Sequence, residues 1–183
     1  MHINVKRLNI VKNKVKEILD RKQLKTNTQI IAVSKTFSID KITPLLDYGH
    51  IHFGENKIQE ALDKWESIKN DFKHIKLHMI GKLQTNKVKY LIPLFDYLHS
   101  LDNIRLAEKI SLEQKKKNKK LKIFIQVNIG DEDQKNGIAS NHVLEFHKKC
   151  VQDFDLDIVG LMCIPPIDGD VKEHFGLMNK LNK

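Results

Sequence analysis

Cysteine is nearly absent. Cys150 and Cys163 are the two in 183 residues, far apart and without a C-x-x-C pair. That argues against a disulfide framework and for a reduced, cytoplasmic protein with idle thiols. Long apolar runs are missing too. No stretch approaches the roughly 18 residues of a membrane span, so no membrane partner is expected. The start, Met1-His2-Ile3-Asn4-Val5-Lys6-Arg7, has no apolar core or cleavage site and does not read as a signal peptide. Glycine-rich phosphate loops are also lacking: Gly81-Lys82 has none of the rest of a P-loop. Acidic residues are outnumbered 32 to 23, for a net charge of +9. Part of that excess is one run, Lys115-Lys116-Lys117-Asn118-Lys119-Lys120, with no interleaved aromatics. It reads as a solvated loop rather than a nucleic-acid footprint, so no nucleic-acid partner is expected.

What is present suits one globular domain over residues 1–183. Hydrophobic residues make up 40% of the chain and charged residues 30%, enough for a core and too apolar for disorder. Residues 4–22 carry Val5, Leu8, Val11, Val15, Ile18 and Leu19 at helical spacing. Strands are expected at 30–35, 50–54, 76–81, 97–101, 121–129 and 158–164, each followed by a helical pattern. Ser38 and Gly49 bound the first of those helices, and Pro44 within it predicts a kink or a restart at Thr43.

Six short, almost continuously apolar strands alternating with helices mean a parallel sheet covered by helices. A doubly wound sheet would carry a glycine-rich turn after its first strand, where this chain has Thr36-Phe37-Ser38. Polar residues gather instead at strand C-terminal ends: Lys35, Asn56, Gln84, Asp102 and Asn128. That distribution predicts an α/β, (β/α)8 TIM-barrel-like architecture, of which six strand–helix units are counted.

The strand that ends Ala32-Val33-Ser34-Lys35-Thr36 points a lysine out of its C-terminal edge. Only a neutral amine attacks a carbonyl to form a Schiff base, and one-sided burial favours neutral amines in general. A strand-end lysine is usually just a surface cap, so the other motifs decide. Phe53-Gly54-Glu55-Asn56, His78-Met79-Ile80-Gly81-Lys82-Leu83-Gln84-Thr85-Asn86-Lys87, Ile125-Gln126-Val127-Asn128-Ile129 and Gly160-Leu161-Met162-Cys163-Ile164-Pro165 follow in order. Together they resemble the pyridoxal phosphate homeostasis protein family, single-domain relatives of the alanine racemase barrel, over essentially the whole chain.

The resemblance implies pyridoxal 5′-phosphate (PLP) held as a Schiff base on Lys35, with the cofactor carried and supplied rather than used for turnover. No catalytic residue and no metal ligand are then expected. Asn56 resembles the family asparagine beside the cofactor, where its amide can bond the phenolic oxygen or the imine; its plain alternative is a helix N-cap. His78, Gln84, Asn86, Lys87 and Asn128 are candidates for the site mouth. Lys135, in the loop after the fifth strand, is a candidate second amine that relays the aldehyde. The expected partners are PLP and PLP-dependent apoenzymes, with the protein a monomer. The family's Ser-, Gly- and Met-rich turn after strand seven and its Arg-Ile-Gly-Thr stretch on strand eight do not occur in these residues. The expectation is therefore a C-terminally truncated barrel, open at its first and sixth strands, that holds the phosphate weakly.

Two rivals stand beside this reading. His50-x-His52 with His78 and His99 would suit a metal-dependent barrel hydrolase, although His50 begins its strand, away from the active end. A PLP-dependent racemase or decarboxylase would need a second acid–base group facing the lysine. The racemases take theirs from a further domain, which these residues lack.

Overall fold

The computed structural model describes residues 1–130, 132, 136–167 and 169–183. The leading helix α1 (Ile3–Arg21) precedes β1 (Ala32–Val33), α2 (Ile39–Asp47), β2 (His52–Glu55), α3 (Ile58–Trp65) and β3 (Lys76–Met79). A 3-10 turn at Thr85–Lys87 opens α4 (Val88–Leu94), followed by β4 (Tyr97–Leu101), α5 (Ile104–Lys117) and β5 (Lys122–Asn128). The two-residue β6 (Ile138–Ala139), α6 (Val143–Gln152), β7 (Asp157–Met162) and α7 (Val171–Leu181) complete the chain.

Every pairing is parallel, and the sheet runs β1-β2-β3-β4-β5 in chain order, with β6 and β7 both paired to β5. A doubly wound sheet reverses its order at a switch point. Here nothing reverses, as in a barrel wall. Among the described residues no pairing joins β7 back to β1.

Alternation sorts the strand residues onto two faces. Phe53, Leu77, Leu98, Ile123 and Ile125 point to the helices and are completely buried with Trp65, Val88, Leu91, Ile92 and Ile110. Each such side chain contributes roughly 2 kcal/mol of apolar burial. His52, His78, Tyr97 and Phe124 share the opposite, inner face and touch one another there.

Several expectations shift. The first strand shrinks from six residues to Ala32–Val33, because Thr36 turns the chain with a left-handed φ of 66°. The second starts at His52, leaving His50 ahead of it. Pro44 sits inside a continuous α2 without a restart. The Thr43 hydroxyl bonds the Ile39 carbonyl at 3.0 Å, and the helix ends before Gly49, whose φ of 81° suits glycine. On α1 only Val5 and Leu8 are buried, while Val11 and Ile18 stay 46% and 45% exposed. The lysine run is not a loop: Lys115–Lys117 form the last turn of α5, where cations suit the helix dipole. Asn118 closes that turn in left-handed conformation, and Lys119 donates to the Pro93 and Phe95 carbonyls at 3.1 and 3.0 Å.

Candidate functional site

Lys35 lies two residues beyond Val33, just past the C-terminal end of β1, and is half-buried. Its neighbours are tied down. Ser34 is buried and donates its backbone N–H to the Gly54 carbonyl at 2.9 Å and its hydroxyl to Glu55 Oε1 at 2.7 Å. Glu55 is completely buried on the helix side of β2. Its Oε1 also accepts from Trp65 Nε1 at 2.9 Å and Lys64 Nζ at 3.0 Å. A buried carboxylate is tolerated only with such partners.

Asn56 stands at the matching end of β2, since Val33 pairs with Gly54 two residues below each. It is not the cap of α3: Lys57 holds that position, without a side-chain bond. The β3–α4 connection presses against Asn56, because a Cβ on Gly81 would come within 2.3 Å of its carbonyl oxygen. Only glycine permits that approach. Ser100 Oγ donates to the Gly81 carbonyl at 2.7 Å and holds the turn from the β4 side. Lys82 reaches across to Asn136 Oδ1 at 2.6 Å, and Gln126 Nε2 donates to the Asn136 carbonyl at 3.1 Å. The loops after β3 and β5 are thus linked over the C-terminal edge of the sheet.

One layer deeper on the inner face is a chain of imidazoles. His52 Nδ1 and His78 Nε2 are 2.9 Å apart, as are His78 Nδ1 and His99 Nε2. A neutral ring donates once and accepts once, so the chain is satisfied in either direction. Tyr97 stacks on His78 at 4.2 Å, and Phe124 stacks on His99 at 4.4 Å. Burial, reinforced by the two flanking histidines, pulls His78 down to about 3; burial alone pulls His99 to about 4. These nitrogens bond one another, and among the described residues no three His, Cys, Asp or Glu side chains converge on a metal position.

The remaining candidates are dispersed. His78 sits in the register row of Val33 and Gly54, below the level of Lys35 rather than at the mouth. Gln84 is exposed ahead of the 3-10 turn and caps nothing with its side chain. Asn86 lines an outer groove with Arg105 and Glu108, and Lys87 lies over the Tyr90 ring at 5.8 Å. Asn128 braces its own loop, donating to the Glu132 carbonyl at 2.9 Å and accepting from the Glu132 N–H at 3.3 Å. Lys135 lies outside the described residues. Residues the sequence reading passed over are Glu55, Glu60, Lys64, Lys82 and Ser100. The signal for two of them was present in the i,i+4 spacing of Glu60 and Lys64.

A sequentially ordered parallel sheet that holds a lysine at the end of its first strand defines the class: a barrel-wall domain of the alanine racemase type. The family model "Alanine racemase, N-terminal domain" matches residues 7–179. The pyridoxal phosphate homeostasis protein of Haemophilus influenzae is 32% identical over 176 residues, covering 95% of this chain and 74% of that protein. Its namesake from Aquifex aeolicus is 34% identical, covering 84% of this chain and 68% of the relative. Among solved structures, PipY of Synechococcus elongatus without PLP superposes with a TM-score of 0.77 at 30% identity, covering 88% of this chain and 76% of that one. PipY with PLP bound superposes at 0.72 and 24% identity, covering 91% and 80%. The chain therefore belongs to the alanine racemase N-terminal domain family and, within it, to the pyridoxal phosphate homeostasis proteins.

Proposed function

We propose that this chain binds PLP through Lys35 and serves cofactor homeostasis without turnover, as one cofactor-binding unit over residues 1–183. The observation that carries the reading is the placement of Lys35. It stands alone past a two-residue strand, half-buried, beside Asn56, at the C-terminal edge where barrel domains hold their ligands. PLP, when bound, would supply an aldehyde for covalent attachment, and the Lys35 amine would be the group that holds it, with water as the other product. Three residues fit this group. Lys35 offers a primary amine with no hydrogen-bond partner among the described residues, and Asn56 offers an amide not spent on capping. Gly81 lets the next loop close against Asn56. Asn56 would donate to the phenolic oxygen or the imine nitrogen.

The names of the relatives and the PLP-bound form of PipY support the cofactor. We read the protein as cytoplasmic and monomeric, handing PLP to apoenzymes, with Lys135 as a candidate second amine. The test is absorbance after mixing the protein with PLP. An imine band near the visible edge, lost in Lys35→Ala, is expected; its absence from the unaltered protein overturns the reading. Racemisation or decarboxylation of amino acids by the loaded protein would overturn the non-catalytic part alone.

A further inference from the structure

A two-residue strand cannot by itself aim a side chain two positions beyond its end. The ladder hydrogen bonds stop, and each further residue is free in φ and ψ. Something else must fix the backbone around Lys35, and the structure shows what does. Before it, Ser34 is held at all three of its polar groups. Its N–H goes to the Gly54 carbonyl, its hydroxyl to Glu55 Oε1, and its carbonyl accepts from Lys64 Nζ at 2.8 Å. After it, the Thr36 N–H donates to Glu60 Oε1, with Thr36 in the left-handed region at φ 66°. That conformation is unfavourable for a β-branched residue and persists only where contacts impose it.

The two anchors are one assembly. Lys64 Nζ also bonds Glu60 Oε1 at 3.1 Å and Glu55 Oε1 at 3.0 Å, so a single ammonium joins both carboxylates to the carbonyl of residue 34. Glu60 and Lys64 are one turn apart on α3, and their ion pair is largely shielded, with 27% and 7% side-chain exposure. We propose that Lys64, with Glu55 and Glu60, forms a clamp that positions Lys35 by fixing the peptides on either side of it. None of the three touches the reacting amine; they are positioning residues. This rests on the reading of Lys35 as the attachment point. Burial alone would raise the Glu60 carboxyl, but the Thr36 N–H and the Lys64 ammonium outweigh it and hold the group below its ordinary value. Glu60 is therefore a carboxylate at neutral pH.

The experiment compares the unaltered protein with Lys64→Met, Lys64→Arg and Glu60→Ala. Imine formation with PLP is followed by absorbance, and the attachment site is mapped by borohydride trapping and peptide analysis. Thermal unfolding controls for folding. Losing the clamp should slow imine formation on Lys35 by about tenfold or more, since small misplacements of a reacting group carry penalties of that order. The trapped label should also spread to other lysines. Lys64→Arg, which keeps the charge and the donors, should recover most of the rate. If Lys64→Met does not fold, Glu60→Ala, at the partly exposed end, carries the test. A folded Glu60→Ala with the rate and label pattern of the unaltered protein overturns the proposal. Hydrogen exchange at the Thr36 amide gives a readout that needs no cofactor. The clamp requires protection that Glu60→Ala, which has no acceptor left, removes, and equal exchange in both overturns it even if PLP fails to bind. Protection without any Lys35 adduct would leave the clamp standing and sink the cofactor reading instead.

Discussion

Trp65 shows how one side chain can serve two purposes at a strand–helix contact. Its ring packs on Phe53 with centroids 5.1 Å apart, and its Nε1–H donates to Glu55 Oε1. Trp65→Phe keeps most of the packing and removes one donor from a buried carboxylate, which should cost about 1–3 kcal/mol. Trp65→Ala removes the packing as well and should cost about 3–5 kcal/mol. Denaturant unfolding with both variants checks the order; equal losses would mean that the ring packing counts for nothing, and an undiminished Trp65→Phe would mean the same of the hydrogen bond. At the N-terminus of α5, Asn103 Oδ1 accepts from the Leu106 N–H at 2.9 Å. Asn103→Ala should cost about 1 kcal/mol by the same measurement, while Asn103→Ser should cost much less.

Among the elements, β4 and the body of β5 were legible in the sequence, because alternating apolar residues there meet a helix layer on one side and rings on the other. Tyr97–Leu101 matches its expected span residue for residue. β1 was overestimated because what ends it is remote in sequence: Glu55 and Glu60, at separations of 21 and 24 residues, take the polar groups of Ser34 and Thr36. β6 was missed because two residues carry no period to read. The same reasons divide the candidate site. Lys35 and Asn56 were visible as strand-end polar residues inside motifs. The clamp was not, since Glu60 and Lys64 look like an ordinary surface pair on a helix. Lysines were misjudged at α5, where the local signal was the left-handed Asn118 that ends the helix after Lys117. Glycine holds that conformation more cheaply. Asn118→Gly should leave stability unchanged or raise it by about 0.5 kcal/mol, and Asn118→Val should lower it by about 1 kcal/mol. Thermal unfolding of both variants checks the direction; a stabilising valine would contradict the cap.

At the scale of the molecule, the imidazole chain is a cross-tie. His52, His78 and His99 come from β2, β3 and β4 and join the three strands across the inner face. The folded sheet keeps these rings neutral. His78 is pulled to about 3 and His99 to about 4, chiefly by burial, and His52 is lowered by burial and by Lys76. An unfolded histidine titrates near 6.5. Between that value and the folded ones, the unfolded chain binds more protons than the folded chain, so stability rises with pH through the window. The contribution is complete above about pH 7 and drains away as pH falls from about 6.5 toward 4. At pH 5 a histidine held neutral costs about 2 kcal/mol relative to neutral pH. The protein should therefore lose melting temperature steadily between pH 7 and pH 5. His99→Gln removes one titrating ring, and its curve over that range should be shallower by about one proton's worth, near 1.4 kcal/mol per pH unit. Variant and unaltered protein losing stability in parallel from pH 7 to pH 5 would show that His99 takes up its proton in the folded sheet, and that the chain does not hold its rings neutral.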